Sequence, residues 1–145
     1  MEKEEFRKLF EEITDFKFNE FHPMVKIGGQ PKIGKNVSIG FFSEINAKDS
    51  VIEIGDNCDI ASFVSINSAD SHKRCIEINN KIDRNKIILE NNVFVGSHCL
   101  IKGGAKIGHH TVIAAGTIVD SVEIPPYSLV SGNPMKIRKH YYDQK

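Results

Sequence analysis

The chain has no excess of charge: its 145 residues carry 19 Lys plus Arg against 19 Asp plus Glu. That balance argues against nucleic acid or an anionic membrane as the main partner, because both are held through surplus cations. Long apolar runs are also missing; none approaches the roughly 18–20 residues that a membrane-spanning helix needs. The opening stretch MEKEEFRKLFEE is acidic and charged, so it is expected not to serve as a signal peptide. Cysteine is scarce, with three residues at no metal-type spacing, which points to a reducing cytoplasm rather than a disulfide framework. The length suits a single domain.

What the chain does have is a period of six. Ile27, Ile33, Ile39 and Ile45 share one frame, and Ile54, Ile60 and Ile66 a second. Leu89, Val95, Ile101, Ile107, Ile113 and Val119 share a third, and Ile124 and Val130 a fourth. A short fixed period is the signature of a solenoid. The aliphatics are expected to fill the interior, each contributing about 1.5–3 kcal/mol on burial. Gly often follows them, as at Gly28, Gly34, Gly40, Gly55, Gly96 and Gly108, and is expected to supply turn dihedrals. Small or β-branched residues recur four after most starts, among them Val64, Ala105, Thr111 and Thr117. Cys58 and Cys99 occupy that position and read as core residues; Cys75 does not. Three hexads per triangular coil turn the fifteen starts into about five coils, enough for a continuous core.

Phe6, Leu9, Phe10 and Ile13 make one apolar stripe at helical spacing, with Glu2, Glu4 and Glu5 suited to the dipole at the helix start. This helix is expected to cover the open end of the solenoid. Thr14 to Met24, with Phe16 and Phe18 on one side, is expected to lead in as extended chain. The plan is therefore a helix and lead-in over 1–24, the repeat domain over 25–138, and a basic tail over 139–145. Val51 to Glu53 adds three residues to the period, and a polar loop over 72–88 adds seventeen. Loops thrown from a rigid scaffold are disproportionately functional. After Val119 the frame loses a residue, and the Pro pair and Gly-Asn-Pro turn of IPPYSLVSGNP end the regular coils.

The breaks carry the candidate chemistry. His72 stands where the coil gives way to the loop, and imidazole titrates near neutral pH. Asp49 and Asp70 fall four after Ile45 and Ile66, where the repeat otherwise places a small inward residue. A lone inward charge is expensive, so either the pattern breaks there for function, or the coil distorts and both carboxylates cap turns.

Four stretches, IEIGDNCDIASFVSINSADSH, ILENNVFVGSHCLIKGGAKIGHHTVIAAGTIV, IPPYSLVSGNP and the loop headed by His72, together resemble the hexapeptide-repeat acyltransferases. Within them the chain is similar to the sugar O-acetyltransferase and polysaccharide acetyltransferase group, which includes galactoside, maltose and xenobiotic acetyltransferases. The resemblance implies an all-β fold, a left-handed parallel β-helix of hexapeptide repeats with a short N-terminal helix and an extended loop. It implies a homotrimer, with acetyl-CoA as co-substrate in a cleft between subunits and a carbohydrate or other small-molecule acceptor.

His72 matches the family's catalytic base, and Ser97, in VGSH, its oxyanion donor. Asn46 and Asp49 resemble acceptor-binding residues at a shorter spacing than in the relatives, and Asp70 would orient His72 or bind acceptor. Ala115 and Gly116 match the turn that lines the pantetheine arm, and Ser97 belongs to the same cofactor set. Relatives carry a coenzyme-holding Lys where this chain has Asp120-Ser121; Lys102, or Lys136, Arg138 and Lys139 after the Gly-Asn-Pro turn, would substitute. No metal is expected, because His98, His109 and His110 lack the spacing of zinc-binding hexapeptide hydratases. The expected activity is acetyl transfer to a sugar hydroxyl in the cytoplasm. The alternatives are N-acetylation of an amino sugar or antibiotic, and a non-catalytic scaffold subunit.

Overall fold

The computed structural model describes residues 1–14, 19–21 and 24–143. Three parallel sheets run along the faces of a triangular prism. The first stacks Lys26–Gly29, Glu44–Ala47, Ser65–Asn67, Leu100–Lys102 and Ile118–Val119. The second stacks Lys32–Ile33, Ile52–Ile54, Ile87–Leu89, Lys106–Ile107 and Glu123–Ile124. The third stacks Ser38–Ile39, Asp59–Ile60, Phe94–Val95, Val112–Ile113 and Leu129–Gly132, and Met135–Arg138 then adds on antiparallel. This is a parallel β-solenoid of about five turns, the left-handed β-helix class.

The register explains the period. Ile27, Ile45, Ile66, Ile101 and Val119 pair in sequence down the first face. Ile33, Ile54, Leu89, Ile107 and Ile124 do so on the second. Ile39, Ile60, Val95, Ile113 and Val130 complete the third. All are buried except Ile27 and Ile33, which belong to the first, half-open coil. Small residues fill the corners between them; Ser43, Cys58, Val64, Val93, Cys99, Ala105, Thr111, Thr117 and Ser128 are all buried.

The glycines that follow the aliphatics do a different job from the expected one. The left-handed residue of each turn comes two positions later, at Asn36, Phe42, Asn57, Phe63, Asn92, His98, His110 and Tyr127, with φ between 55° and 60°. The glycine is needed for contact with the next coil: a Cβ on Gly96 would stand 2.6 Å from the Ala115 backbone nitrogen. Bulky side chains at left-handed positions are unusual, and here their rings meet between coils. Phe42 stacks on Phe63 at 5.6 Å and Phe63 on His98 at 4.9 Å.

Both interruptions leave from one edge, between the first and second faces. The extra length assigned to Val51–Glu53 sits instead in the turn at Lys48, Asp49 and Ser50, because Ile52–Ile54 pairs with Ile87–Leu89. The large excursion leaves after Ser68 and returns before Ile87, which is fully buried in its sheet. It is built as strand Ala69–Asp70, a one-turn helix at His72–Cys75, and strand Asp83–Arg84 paired antiparallel to the first.

The two ends are closed by different elements. The N-terminal helix, α1, spans Lys3–Ile13 with a Glu2–Glu5 capping box, yet none of its residues is buried. Phe10 and Thr14 border an apolar cavity of about 310 Å³ with Met24 and Phe42, while Phe6, Leu9 and Ile13 stay exposed. Val25 and Phe21 pack on the core at that end. The rest of the lead-in, including Phe16 and Phe18, lies outside the described residues. At the other end Lys136 and Arg138 belong to the antiparallel strand, and Ile137 packs on the core.

Removing one inward aliphatic leaves a cavity that flanking coils cannot collapse to fill. Ile101→Ala should cost about 2–5 kcal/mol in a denaturant melt. The thiols give a second check. Cys58 and Cys99 are buried, and burial pushes both thiols above their ordinary value of 9.0, whereas Cys75 is exposed. A thiol reagent at pH 8 should label Cys75 quickly and the other two only on unfolding.

Candidate active site

Asp70 and His72 form a dyad at the root of the excursion. His72 opens the one-turn helix, α2, over His72–Cys75. Asp70 Oδ1 accepts the His72 backbone N–H at 3.1 Å and contacts the ring Nδ1 at 2.6 Å. The hydrogen bonds from the His72 side chain and backbone hold the Asp70 carboxyl below its ordinary 3.8, with a smaller contribution from the Lys73 charge. An ionised carboxylate only accepts, so Nδ1 carries the proton and Nε2 is left as the basic nitrogen. Both side chains are more than half exposed, at 54% for His72 and 64% for Asp70.

Several contacts fix the dyad in place. Lys73 Nζ pairs with Asp83 Oδ2 at 2.9 Å, which ties α2 to the returning strand. Arg84 Nη1 donates to the Lys48 carbonyl at 2.7 Å, which ties that strand to the Asp49 turn. Asn67 Oδ1 accepts the Ala69 N–H at 3.0 Å and the Asn46 side-chain amide at 3.2 Å. Asn46 Oδ1 in turn accepts the Lys48 N–H at 3.2 Å. A cleft of about 320 Å³ opens beside this network, bordered by Asn67, Asp70, Asp83, Asn85, Lys102 and Ser121. A larger depression of about 750 Å³ lies on the second face near Glu53, Glu90 and His109, away from the dyad.

Neither Asp49 nor Asp70 points inward. Ala47 and Ser68 take the inward places, each 2% exposed, and both carboxylates are exposed. The coil lengthens at this edge, so the residue four after the aliphatic lies past the corner. Asp49 sits at the tip of its turn with φ 50°. Asn46, read from sequence as an acceptor ligand, spends its carbonyl and one amide proton on the turn and on Asn67.

Ser97, Ala115 and Gly116 occupy a different edge, between the third and first faces. The Gly116 N–H donates to the Ser97 carbonyl at 2.9 Å. A Cβ built on Gly116 would meet nothing within 4 Å, so the backbone there is open to a ligand. The turn before Met135 lies one rung further along, where the Gly132 N–H donates to Thr117 Oγ1 at 3.2 Å. Lys136 and Arg138 follow on the closing strand. Lys102 is on the His72 edge, with Nζ 3.1 Å from Asp120 Oδ1, and so lies with the acceptor-type residues rather than with the Ala115–Gly116 turn.

The expected residues thus fall into two groups on two edges. Asn67 and Arg84 were missed. The legible signal for Asn67 was the position after the first-face aliphatic, which runs Gly28, Asn46, Asn67, Lys102 and Asp120. Among the described residues no group of three or more His, Cys, Asp or Glu could hold a metal. His98 stacks on Phe63, while His109 and His110 contact each other, Nδ1 to Nδ1 at 3.0 Å.

Asp70 gives a pH test. Its folded pKa lies below the unfolded value, so its stabilising contribution is full above pH 3.8 and fades as the pH falls through the folded pKa. Carboxyl-carbon NMR should show Asp70 titrating below 3.8, and His72→Ala should return it towards that value.

The family described as the hexapeptide repeat of succinyl-transferase matches residues 32–67 and 86–121. Those two blocks flank the excursion that carries His72. Galactoside O-acetyltransferase from Escherichia coli (strain K12) is 36% identical over 75% of this chain and 60% of that protein, so the chain spans about three-fifths of its length. Maltose O-acetyltransferase from Clostridium difficile 630 is 25% identical with a TM-score of 0.60, over 95% of this chain and 85% of that one. A mutant of AntD, an N-acyltransferase from Bacillus cereus solved with dTDP-4-amino-4,6-dideoxyglucose and coenzyme A, shares the fold at a TM-score of 0.73 and 20% identity. The match covers 86% of this chain and 70% of that one. The repeat ladder, the matched blocks on either side of the excursion and these likenesses agree: the chain is built on the hexapeptide repeat and is similar to acyltransferases that share it.

Proposed function

We propose that this chain is an acetyl-CoA-dependent acetyltransferase whose acceptor is a sugar hydroxyl, acting in the cytoplasm. The observation that carries the reading is the Asp70–His72 dyad, with the ring Nδ1 held by a carboxylate that itself borders a polar cleft. A hydroxyl needs a base to attack a thioester, whereas an amine attacks as its free base and gains less from one. The names of the galactoside and maltose relatives support a sugar hydroxyl as acceptor.

In this reading His72 Nε2 accepts the hydroxyl proton as the acceptor oxygen bonds to the acetyl carbonyl carbon. Asp70 stabilises the imidazolium that forms. Ser97, through its hydroxyl or backbone N–H, donates to the carbonyl oxygen as negative charge develops there. His72 then gives its proton to the sulfur as the carbon–sulfur bond breaks, leaving an acetyl ester and free coenzyme A. Asp49 faces the acceptor from its turn. The open Ala115–Gly116 backbone supplies room and amide groups for the pantetheine arm, and Lys136 and Arg138 supply cations for the phosphates.

His72 and Ser97 stand on different edges of one prism, so the complete site draws on a second copy, and the assembly is a trimer. Exposed Phe41, Phe42, Phe63, Phe94 and Leu100 cluster around the Ser97 edge, which suits burial against that neighbour.

The test is release of free thiol from acetyl-CoA against a panel of nucleotide sugars, amino sugars and simple glycosides. His72→Ala should lower kcat by about 10²–10⁴ with the responsive acceptor. Near-normal turnover in that variant would overturn the mechanism. A lack of any thermal shift with acetyl-CoA would instead favour a scaffold.

A further inference from the structure

We propose that Asn67 is an acceptor-binding residue, whose side-chain amide donates to an oxygen of the acceptor next to the hydroxyl that reacts. The inference rests on the acetyltransferase reading for the identity of the reacting group, and on the hydrogen-bond network for the rest.

The orientation of the Asn67 amide is forced. A backbone N–H can only donate, so the Asn67 atom 3.0 Å from the Ala69 nitrogen is the carbonyl oxygen. The same logic applies at Asn46, where the Lys48 N–H identifies the oxygen and leaves the amide nitrogen facing Asn67. Asn67 Oδ1 therefore takes two donors from the chain, and Nδ2 is turned away from both. Among the described residues no hydrogen bond from Asn67 Nδ2 is present, and Asn67 borders the 320 Å³ cleft together with Asp70.

The charged groups around that cleft are already matched within the chain. Asp70 holds His72, Asp83 holds Lys73, and Lys102 holds Asp120. Asn67 supplies a neutral donor three residues before Asp70 and fixed on the rigid first face, one rung from Lys102. A half-buried N–H pair with no partner is costly unless water or a ligand accepts from it. Hydroxyl, ring and glycosidic oxygens are the acceptors that a polyhydroxylated substrate brings. The preferred acceptor therefore carries a second oxygen beside the reacting hydroxyl, as a vicinal diol does.

Two substitutions separate this role from the structural one. Asn67→Ser keeps a side-chain oxygen for the Ala69 N–H without the amide donors. Asn67→Asp keeps the shape and both accepting contacts, and any effect of its charge on His72 appears as a displaced pH–rate profile. With the acceptor found in the thiol-release panel, both variants should raise the acceptor KM by about 5- to 10-fold, the usual weight of one neutral hydrogen bond, at every pH. The KM for acetyl-CoA should stay unchanged. A deoxy acceptor lacking the neighbouring oxygen should show no further loss in either variant.

If the wild type turns over and neither variant changes the acceptor KM, the inference fails while the acetyltransferase reading stands. If no acceptor supports turnover, that reading fails, and the ¹⁵N-edited signals of the Asn67 side-chain amide decide the inference alone. With a millimolar methyl galactoside or maltose probe, a shift of that amide pair supports it; no shift with either probe overturns it.

Discussion

Each coil of this protein closes only if its three inward aliphatics land on those of the coil before. The pairing of Ile45, Ile66 and Ile101 on one face, with Ile54, Leu89 and Ile107 on the next, leaves no freedom to slip. A one-residue shift would turn the buried set outwards and expose it to water. The rest follows from this. Close approach of coils excludes a Cβ after the aliphatic, so Gly40, Gly55, Gly96 and Gly108 stand against backbone of the next rung. Narrow corners admit only small inward residues, which is why Cys58, Cys99, Thr111 and Thr117 are buried and hydrogen-bonded.

The same constraint decides where variation is possible. Extra residues must leave and return without disturbing any ladder, so they accumulate at an edge. Both insertions use the edge between the first and second faces, which brings the Asp49 turn and the excursion together. Arg84 and Asn67 then stitch the two to the frame. A rigid prism thereby holds a short, exposed imidazole–carboxylate pair whose geometry a free loop would not keep. The prism cannot bend its own edges together, so the His72 edge and the Ser97 edge stay apart within one chain.

How far the sequence could be read depended on whether a residue belonged to the ladder. The fifteen hexad starts, the buried Cys58 and Cys99, and His72 near the root of the excursion were all legible, because a fixed period states which residues share a face and where the pattern stops. Asp49 and Asp70 fall at the repeat's inward place by counting alone, and which way they point was left open; counting four past an aliphatic fails once the corner lengthens. Gly34 and Gly96 were given a turn role; the turn itself is made by Asn36 and His98 two positions later. The helix stripe of Phe6, Leu9 and Phe10 was visible, but which of these side chains reaches the first coil was not. Asn67 was passed over because its importance comes from Asn46, twenty-one residues away in sequence and adjacent in space.

The sequence by itself determined the solenoid, the coil count and the place where the pattern is interrupted, because these depend only on the spacing of apolar side chains along the chain. Tertiary structure alone decided that Nδ1 of His72 faces Asp70, that Asn46 and Asn67 lock each other, that Lys102 pairs with Asp120, and that Ser97 stands on another edge from His72. Those relations join residues from different coils or across a corner. Their distances are set by the stacking of rungs and by the path of the excursion, which no local pattern encodes.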